Sequence, residues 1–100
     1  MTESPSQIPR DEIASRVRAV LRGQFGPVAD DLADDAELVN AIPGFDSLAA
    51  LETISRVEAE FGIEVDFVGH DVRYWFATPG RITRFVLDRL EDRAVLGGTP

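Results

Sequence analysis

Ser47 stands in the stretch Gly44-Phe45-Asp46-Ser47-Leu48-Ala49-Ala50-Leu51-Glu52, where a polar turn runs into residues with apolar positions at helical spacing. Pro43 and Gly44 close the preceding loop, Asp46 is of a type that caps helices, and Ser47 falls on the first helical turn. The opening amides of a helix have no partner inside it, and the helix dipole adds partial positive charge there. A phosphate carried on this hydroxyl is therefore well placed. The same residues also suit a plain cap with no further task. To act as a nucleophile, the serine would need a base to take its proton, and the single histidine, His70, lies beside Gly69 at the expected start of another helix. No Gly-x-Ser-x-Gly elbow surrounds Ser47. A serine of this kind is suited to being modified by another protein, with a small hydrolase using Ser47 as the rival reading.

Other chemistry is poorly supplied. The absence of cysteine removes disulfides, thiol catalysis and thiolate metal sites, and the absence of lysine removes Schiff-base chemistry and a P-loop lysine. Asp30-Asp31 and Asp34-Asp35 do not follow EF-hand spacing, no second histidine joins His70, and no metal site is expected. Glu58 and Glu60 face different sides of their helix and make poor acid–base partners. Charge is concentrated: from Phe25 to His70 there are eleven acidic residues against the single base Arg56, while the rest of the chain holds seven acids and nine arginines. Such a field repels nucleic acid and steers basic partner surfaces. The Tyr74-Trp75-Phe76 run reads as core packing rather than a base-stacking platform. No stretch approaches membrane-spanning length and the first ten residues lack an apolar leader, so a soluble, cytoplasmic, monomeric protein is expected, with no nucleic-acid or membrane partner.

The elements that must position Ser47 follow from periodicity. A first helix begins near Pro9, with Asp11 and Glu12 in its opening turn and Ile13, Val17, Val20 and Leu21 as its stripe. Phe25 continues that stripe, and Gly26-Pro27 stops the helix. A long connection, Val28 to Phe45, should cross the molecule and pin itself with Val28, Leu32, Leu38, Val39 and Ile42, with a short helical turn around Asp31 to Leu38. The second helix spans Ser47 to Phe61, with Leu48, Leu51, Ile54, Val57 and Phe61 along one side and Gly62 at its end. Ile63 and Val65 plug the core from an extended linker. A short third helix, Asp71 to Ala77, buries Val72, Trp75 and Phe76, and Thr78-Pro79 starts a last helix carrying Ile82, Phe85, Val86, Arg89 and Leu90, which fades through Asp92. The expected fold is all-α: a four-helix bundle of three longer helices and a short third one, with a long loop between the first two. The domain is expected over 9–93, between flexible tails at 1–8 and 94–100.

The Asp46-Ser47-Leu48 motif within its flanks resembles the acyl carrier protein family. It is followed at the right distance by Glu58-Ala59-Glu60-Phe61-Gly62-Ile63-Glu64-Val65, and Ala77-Thr78-Pro79-Gly80-Arg81-Ile82 is similar to the family's threonine-led last helix. The resemblance covers roughly Ile8 to Leu90. It implies 4′-phosphopantetheine attached to Ser47 through a phosphodiester, with acyl groups carried as thioesters on the thiol of that arm, so that the working sulfur comes from the cofactor. It implies that Asp46 caps the helix and contributes to metal-assisted transfer in the modifying synthase. Leu48, Glu52, Arg56 and Glu58 would face partners, and Leu51, Ile54, Val57, Val65, Phe76 and Ile82 would line an apolar acyl cleft, although all six also read as ordinary core.

The implied partners are a phosphopantetheinyl transferase and a ketosynthase, acyltransferase or similar enzyme with a basic docking surface, in a bacterial polyketide or related fatty-acid-type pathway. The chain itself is then no enzyme. Ala49 and Ala59 stand where fatty-acid carriers usually place acids, and the linker from Val65 to Thr78 is a few residues longer than usual. Phe45-Asp46 before Ser47 replaces the Gly-Gly-x-Ser pattern of peptidyl carriers, which favours acyl over aminoacyl cargo. A peptidyl carrier of a nonribosomal pathway, or a helical interaction module that never receives the arm, remain as alternatives.

Overall fold

Pro9 leads into α1 (Arg10–Phe25), where the backbone amides of Glu12 and Ile13 donate to the Pro9 carbonyl at 3.0 and 3.1 Å. The computed structural model describes residues 9–97, with side chains as far as residue 92. The tail expected at 1–8 and residues 98–100 lie outside the described residues. Ile13, Val17 and Leu21 are buried along one face of α1, as their spacing requires. Gly26 (φ +84°) then takes a left-handed conformation that an L side chain adopts only with strain, and Pro27 opens a 3-10 turn over Gly26–Asp31.

The long connection is stitched to elements on both sides of it. Arg18 of α1 donates to the carbonyls of Leu32 (2.6 Å) and Ala29 (3.3 Å) and pairs with Asp34 (2.7 Å). On the other side, the Gly80 amide donates to the Asp34 carbonyl at 2.8 Å and the Leu38 amide to the Ala77 carbonyl at 2.9 Å. Its plugs are Ala29, Leu32, Leu38 and Ile42, while Val39 is 62% exposed and Val28 half-buried, contrary to expectation. The helical turn expected around Asp31 to Leu38 is displaced to both sides: the 3-10 turn ends at Asp31 and α2 occupies Leu38–Ala41. Pro27 suits the start of the first, and Leu32 is already extended (φ −76°, ψ 130°).

Helix α3 spans Ser47–Phe61, as its periodicity indicates, and Gly62 closes it in the left-handed region (φ 66°, ψ 34°). Its inward face is Thr53, Ile54, Val57 and Phe61. Leu48 and Leu51, assigned by spacing to the packed side, are 74% and 48% exposed. The helix is rotated so that its opening leucines leave the core, and a threonine takes an inward place. Thr53 is fully buried, and its hydroxyl lies 2.7 Å from Gln24 Oε1 and 2.9 Å from the Ala49 carbonyl, which also accepts from Gln24 Nε2 at 2.9 Å. A buried hydroxyl in hydrocarbon is costly unless bonded, and here α1 supplies the partner.

Ile63 and Val65 are buried from an extended linker, as expected. Helix α4 (Val72–Trp75) is a single turn, shorter than the expected Asp71 to Ala77, with the Tyr74 amide donating to Asp71 Oδ1 at 3.3 Å. Phe76 is buried, whereas Val72 and Trp75 are only half-buried. Thr78 Oγ1 accepts from the Arg81 amide at 3.1 Å and opens α5 (Pro79–Gly97), which runs beyond the Asp92 expected as its fading point. Ile82, Phe85 and Val86 are buried along it, as is Thr83, whose hydroxyl donates to the carbonyl of the buried Pro79 at 3.0 Å. Among the described residues the chain is all-helical; α1 packs against both α3 and α5, and α4 lies on α5. This is the expected bundle of three longer helices and one short one, with α2 added as a single turn inside the long connection.

These contacts set the expected effect of three substitutions. A Cβ at Gly80 would lie 2.9 Å from the Asp34 carbonyl oxygen, backbone that cannot swing away, so Gly80→Ala should cost about 1–3 kcal/mol in urea unfolding. A Cβ at Gly23, inside α1, meets only the end of Arg56 at 3.7 Å, and Gly23→Ala should stabilise by about 0.5–1 kcal/mol. Thr53→Val keeps the shape but leaves Gln24 Oε1 without its donor, and a loss of about 1–2 kcal/mol by the same measurement is expected.

Candidate functional site

Ser47 is held between two anchors, both on the last turn of α1. On its N-terminal side, Gly44 (φ +77°) turns the chain and the Phe45 amide donates to the Ile42 carbonyl at 3.2 Å. The Phe45 ring then packs against Phe25 with centroids 5.6 Å apart. On its C-terminal side, Ala49 is tied to Gln24 through its carbonyl. Asp46 is extended (φ −134°, ψ −172°) and caps the helix: Oδ1 accepts from the Ala49 amide at 2.9 Å and its carbonyl from the Ala50 amide at 2.9 Å.

That arrangement leaves the amides of Ser47 and Leu48 ahead of the helical ladder, without a partner among the described residues. The Ser47 side chain is exposed and its hydroxyl makes no hydrogen bond with any described residue. Among the described residues no side chain hydrogen-bonds to it: the Asp46 carboxylate is turned to its own helix, and His70 is engaged elsewhere. An accessible, unbonded hydroxyl beside two open amides fits a covalently attached phosphodiester. Ser15 and Ser55 are also exposed, but both lie within helices, where the neighbouring amides belong to the ladder.

Along the outer face of α3, Leu48 projects into solvent next to the exposed pair Glu52 and Arg56, whose side chains meet at 2.9 Å over one helical turn. Glu58 is not part of that open face in the same way, because its Oε2 accepts from the Val65 amide at 2.8 Å and so ties the extended linker to α3. Of the six residues expected along an acyl cleft, Ile54, Val57, Val65, Phe76 and Ile82 are buried in one core, while Leu51 lies half-exposed outside it. An open cleft of about 270 Å³ exists elsewhere, lined by His70, Trp75, Phe85, Asp88, Arg89, Glu91 and Asp92, and shares none of the six.

His70 belongs to a closed loop rather than to Ser47. Its Nδ1 accepts from the Asp66 amide at 3.0 Å, its own amide donates to the Asp66 carbonyl at 2.7 Å, and its ring meets Phe85 edge-on at 5.1 Å. Asp66 is held below the usual carboxylate range by the Gly69 amide first and the Val68 amide second, against a small opposing effect of burial, with His70 adding attraction. Its contribution to the loop is therefore present at neutral pH and lost as the pH falls through that lowered value. Sequence reading missed Gln24 and Thr53 as positioning residues. Their signal was a polar residue, Thr53, at the inward helical spacing between Ala50 and Val57.

A family described as "Phosphopantetheine attachment site" matches residues 15–69, more than half of the chain and inclusive of Ser47. Acyl carrier protein 2 of Pseudomonas aeruginosa is 36% identical over 55 residues, covering 55% of this chain and 68% of that protein. The acyl carrier protein of Thermotoga maritima is 32% identical over 57 residues, covering 57% and 69% respectively. The group that this attachment site takes is 4′-phosphopantetheine, joined covalently to a serine. With its helical bundle, its capped serine turn and these matches, the chain belongs to the acyl carrier protein family.

Proposed function

We propose that Ser47 is the serine that receives 4′-phosphopantetheine, and that the chain carries acyl groups as thioesters on the thiol of that arm. The observation that supports this choice is the exposed, unbonded Ser47 hydroxyl beside the open amides of Ser47 and Leu48, which neither Ser15 nor Ser55 offers. Attachment from coenzyme A would form the bond between Ser47 Oγ and the pantetheine-bearing phosphorus and release adenosine 3′,5′-bisphosphate. The hydroxyl proton would leave to a base of the transferase, since no described residue of this chain hydrogen-bonds to it. Asp46 fixes the first turn by holding the Ala49 amide, and in this reading its carboxylate also assists metal-dependent transfer within the modifying enzyme. Once bound, the arm supplies the thiol that a chain without cysteine lacks.

In this reading the carrier domain spans 9–93 and works as a cytoplasmic monomer, as a substrate of its partners rather than a catalyst. Those partners are the transferase and then a ketosynthase, acyltransferase or related enzyme of a bacterial polyketide or fatty-acid-type pathway. The exposed side of α3, with Leu48, Glu52 and Arg56, supports docking onto a basic surface, and Glu58 backs that face by securing the linker behind it. Ile54, Val57, Val65, Phe76 and Ile82 form the apolar interior that a short acyl chain would enter, with Leu51 at its edge.

Incubation with coenzyme A and a phosphopantetheinyl transferase should add one phosphopantetheine to the intact mass of the chain, and Ser47→Ala should abolish the gain. A Ser47→Ala chain that still gained the mass would overturn the site. Glu52→Lys should lower kcat/KM for that loading roughly three- to tenfold at low salt, with the difference shrinking as ionic strength rises. An equal rate at low salt would remove Glu52 from the docking face.

A further inference from the structure

Phe67 and Val68 form an apolar tip that the fold holds in water. Val68 is 97% exposed and Phe67 51% exposed. Exposed apolar side chains on slack loops are unremarkable, but this loop is closed by four contacts. The Val68 amide donates to Asp66 Oδ1 at 2.9 Å, the His70 amide to the Asp66 carbonyl at 2.7 Å, and the Asp66 amide to His70 Nδ1 at 3.0 Å. The fourth is the His70 ring, seated edge-on against Phe85 of the buried core. A Cβ at Gly69 would lie 2.7 Å from Asp66 Oδ2, so a side chain there would displace the carboxylate that accepts the Val68 amide. Ordering two apolar side chains outward in advance lowers the entropy cost of inserting them into a pocket.

The surroundings decide what kind of pocket. Glu64, Asp66 and Asp71 flank the tip against Arg73 alone, all four exposed. The open cleft next to it, which His70 shares, has Trp75 and Phe85 as aromatic walls and Asp88, Glu91 and Asp92 on its rim. Its one arginine, Arg89, is paired with Asp92 at 3.3 Å and lies 3.4 Å from His70 Nε2, and Asp88 is paired with Arg84 at 3.3 Å, so that Glu91 is the rim carboxylate without an ion pair among the described residues. A second copy of this chain would bring like charge to like, and anionic lipid headgroups would be repelled in the same way. A cationic side chain entering the cleft would meet both carboxylates and aromatic rings.

We propose that the Phe67–Val68 tip and the cleft beside His70 form a second docking surface, separate from the face of α3 that carries Leu48 and Glu52, for a partner protein presenting an apolar pocket bordered by arginine or lysine. The tip enters the pocket and a basic side chain of the partner enters the cleft. This surface does not involve Ser47, so it stands or falls independently of the arm.

The test is a titration of the ¹⁵N-labelled full chain at low salt, with a helical peptide of leucine and lysine and with its leucine–glutamate counterpart. The lysine peptide should shift the amides of Phe67 to His70 and the Trp75 indole, and the glutamate peptide should leave them in place. Phe67→Ser with Val68→Ser should weaken those shifts about tenfold with only a small fall in the thermal midpoint, since Val68 stands in water and Phe67 is half covered. Gly69→Ala, which keeps both apolar residues but opens the loop, should also weaken binding; Val39→Ser, at an apolar exposed site elsewhere, should not. Shifts confined to Leu48–Arg56, or binding unaltered in the double variant, would overturn the proposal. So would broadening of the tip amides by neutral lipid vesicles, or by raising the chain's own concentration.

Discussion

The last turn of α1 grips the chain on both sides of Ser47, and the placement of the serine depends on that grip. Phe25 takes the residue two before it by ring packing, and Gln24 takes the residue two after it by a hydrogen bond. Neighbouring positions on a helix point in different directions, so one residue can reach the loop side while the other reaches into the α1–α3 interface, where Thr53 meets it. The serine is thereby fixed in place by contacts that do not touch it. In the proposed role the hydroxyl is presented to other proteins and has to stay out of the core, yet a free loop would cost ordering entropy at each encounter. Anchoring the neighbours instead of the residue itself meets both demands.

The long connection serves the same end from below. Held by Arg18 on one side and by the start of α5 on the other, it delivers the chain from the end of α1 to the turn at Gly44 along a fixed path. Its acidic side chains remain at the surface, and the apolar ones that matter, Leu32, Leu38 and Ile42, face inward. The concentration of negative charge between Phe25 and His70 is compatible with folding because the backbone polar groups of the segment find arginine and amide partners. Four of its carboxylates are paired with arginines, Asp30 with Arg22, Asp34 with Arg18, Glu52 with Arg56 and Glu60 with Arg16, and Asp46, Glu58 and Asp66 accept from backbone amides.

Much of this was legible before any coordinates. The limits of α3, its aspartate cap, the glycine at its end, the threonine that opens α5 and the inward Ile63 and Val65 all follow from short-range rules that burial reinforces. What periodicity could not give was helix rotation: Leu48 and Leu51 fit an apolar stripe as well as Ile54 and Val57 do, and in the rotation adopted Thr53 meets Gln24 at the α1–α3 interface while the leucines face water. Val39 failed for a related reason, since in a helix of one turn there is no second turn to define a face. The closed loop at Asp66 to His70 was out of reach because its bonds depend on Phe85, fifteen residues beyond the histidine.

The same geometry bears on the chemistry open to this serine. A nucleophilic serine requires a base oriented by a third group, and here the neighbouring carboxylate of Asp46 is committed to the Ala49 amide while the one imidazole is bound into the Asp66–His70 turn. Two open amides and a helix dipole stabilise an anion after it is in place, but they do not remove a proton from the hydroxyl beforehand. Reactivity must therefore come from whichever enzyme docks. In the proposed reading the surface around the serine turn would then decide which enzymes act on it. The aspartate cap is a short-range feature that many helix starts share, whereas the Phe25–Phe45 and Gln24–Ala49 contacts that place the turn, and the outward leucines of α3, are particular to how this sequence packs.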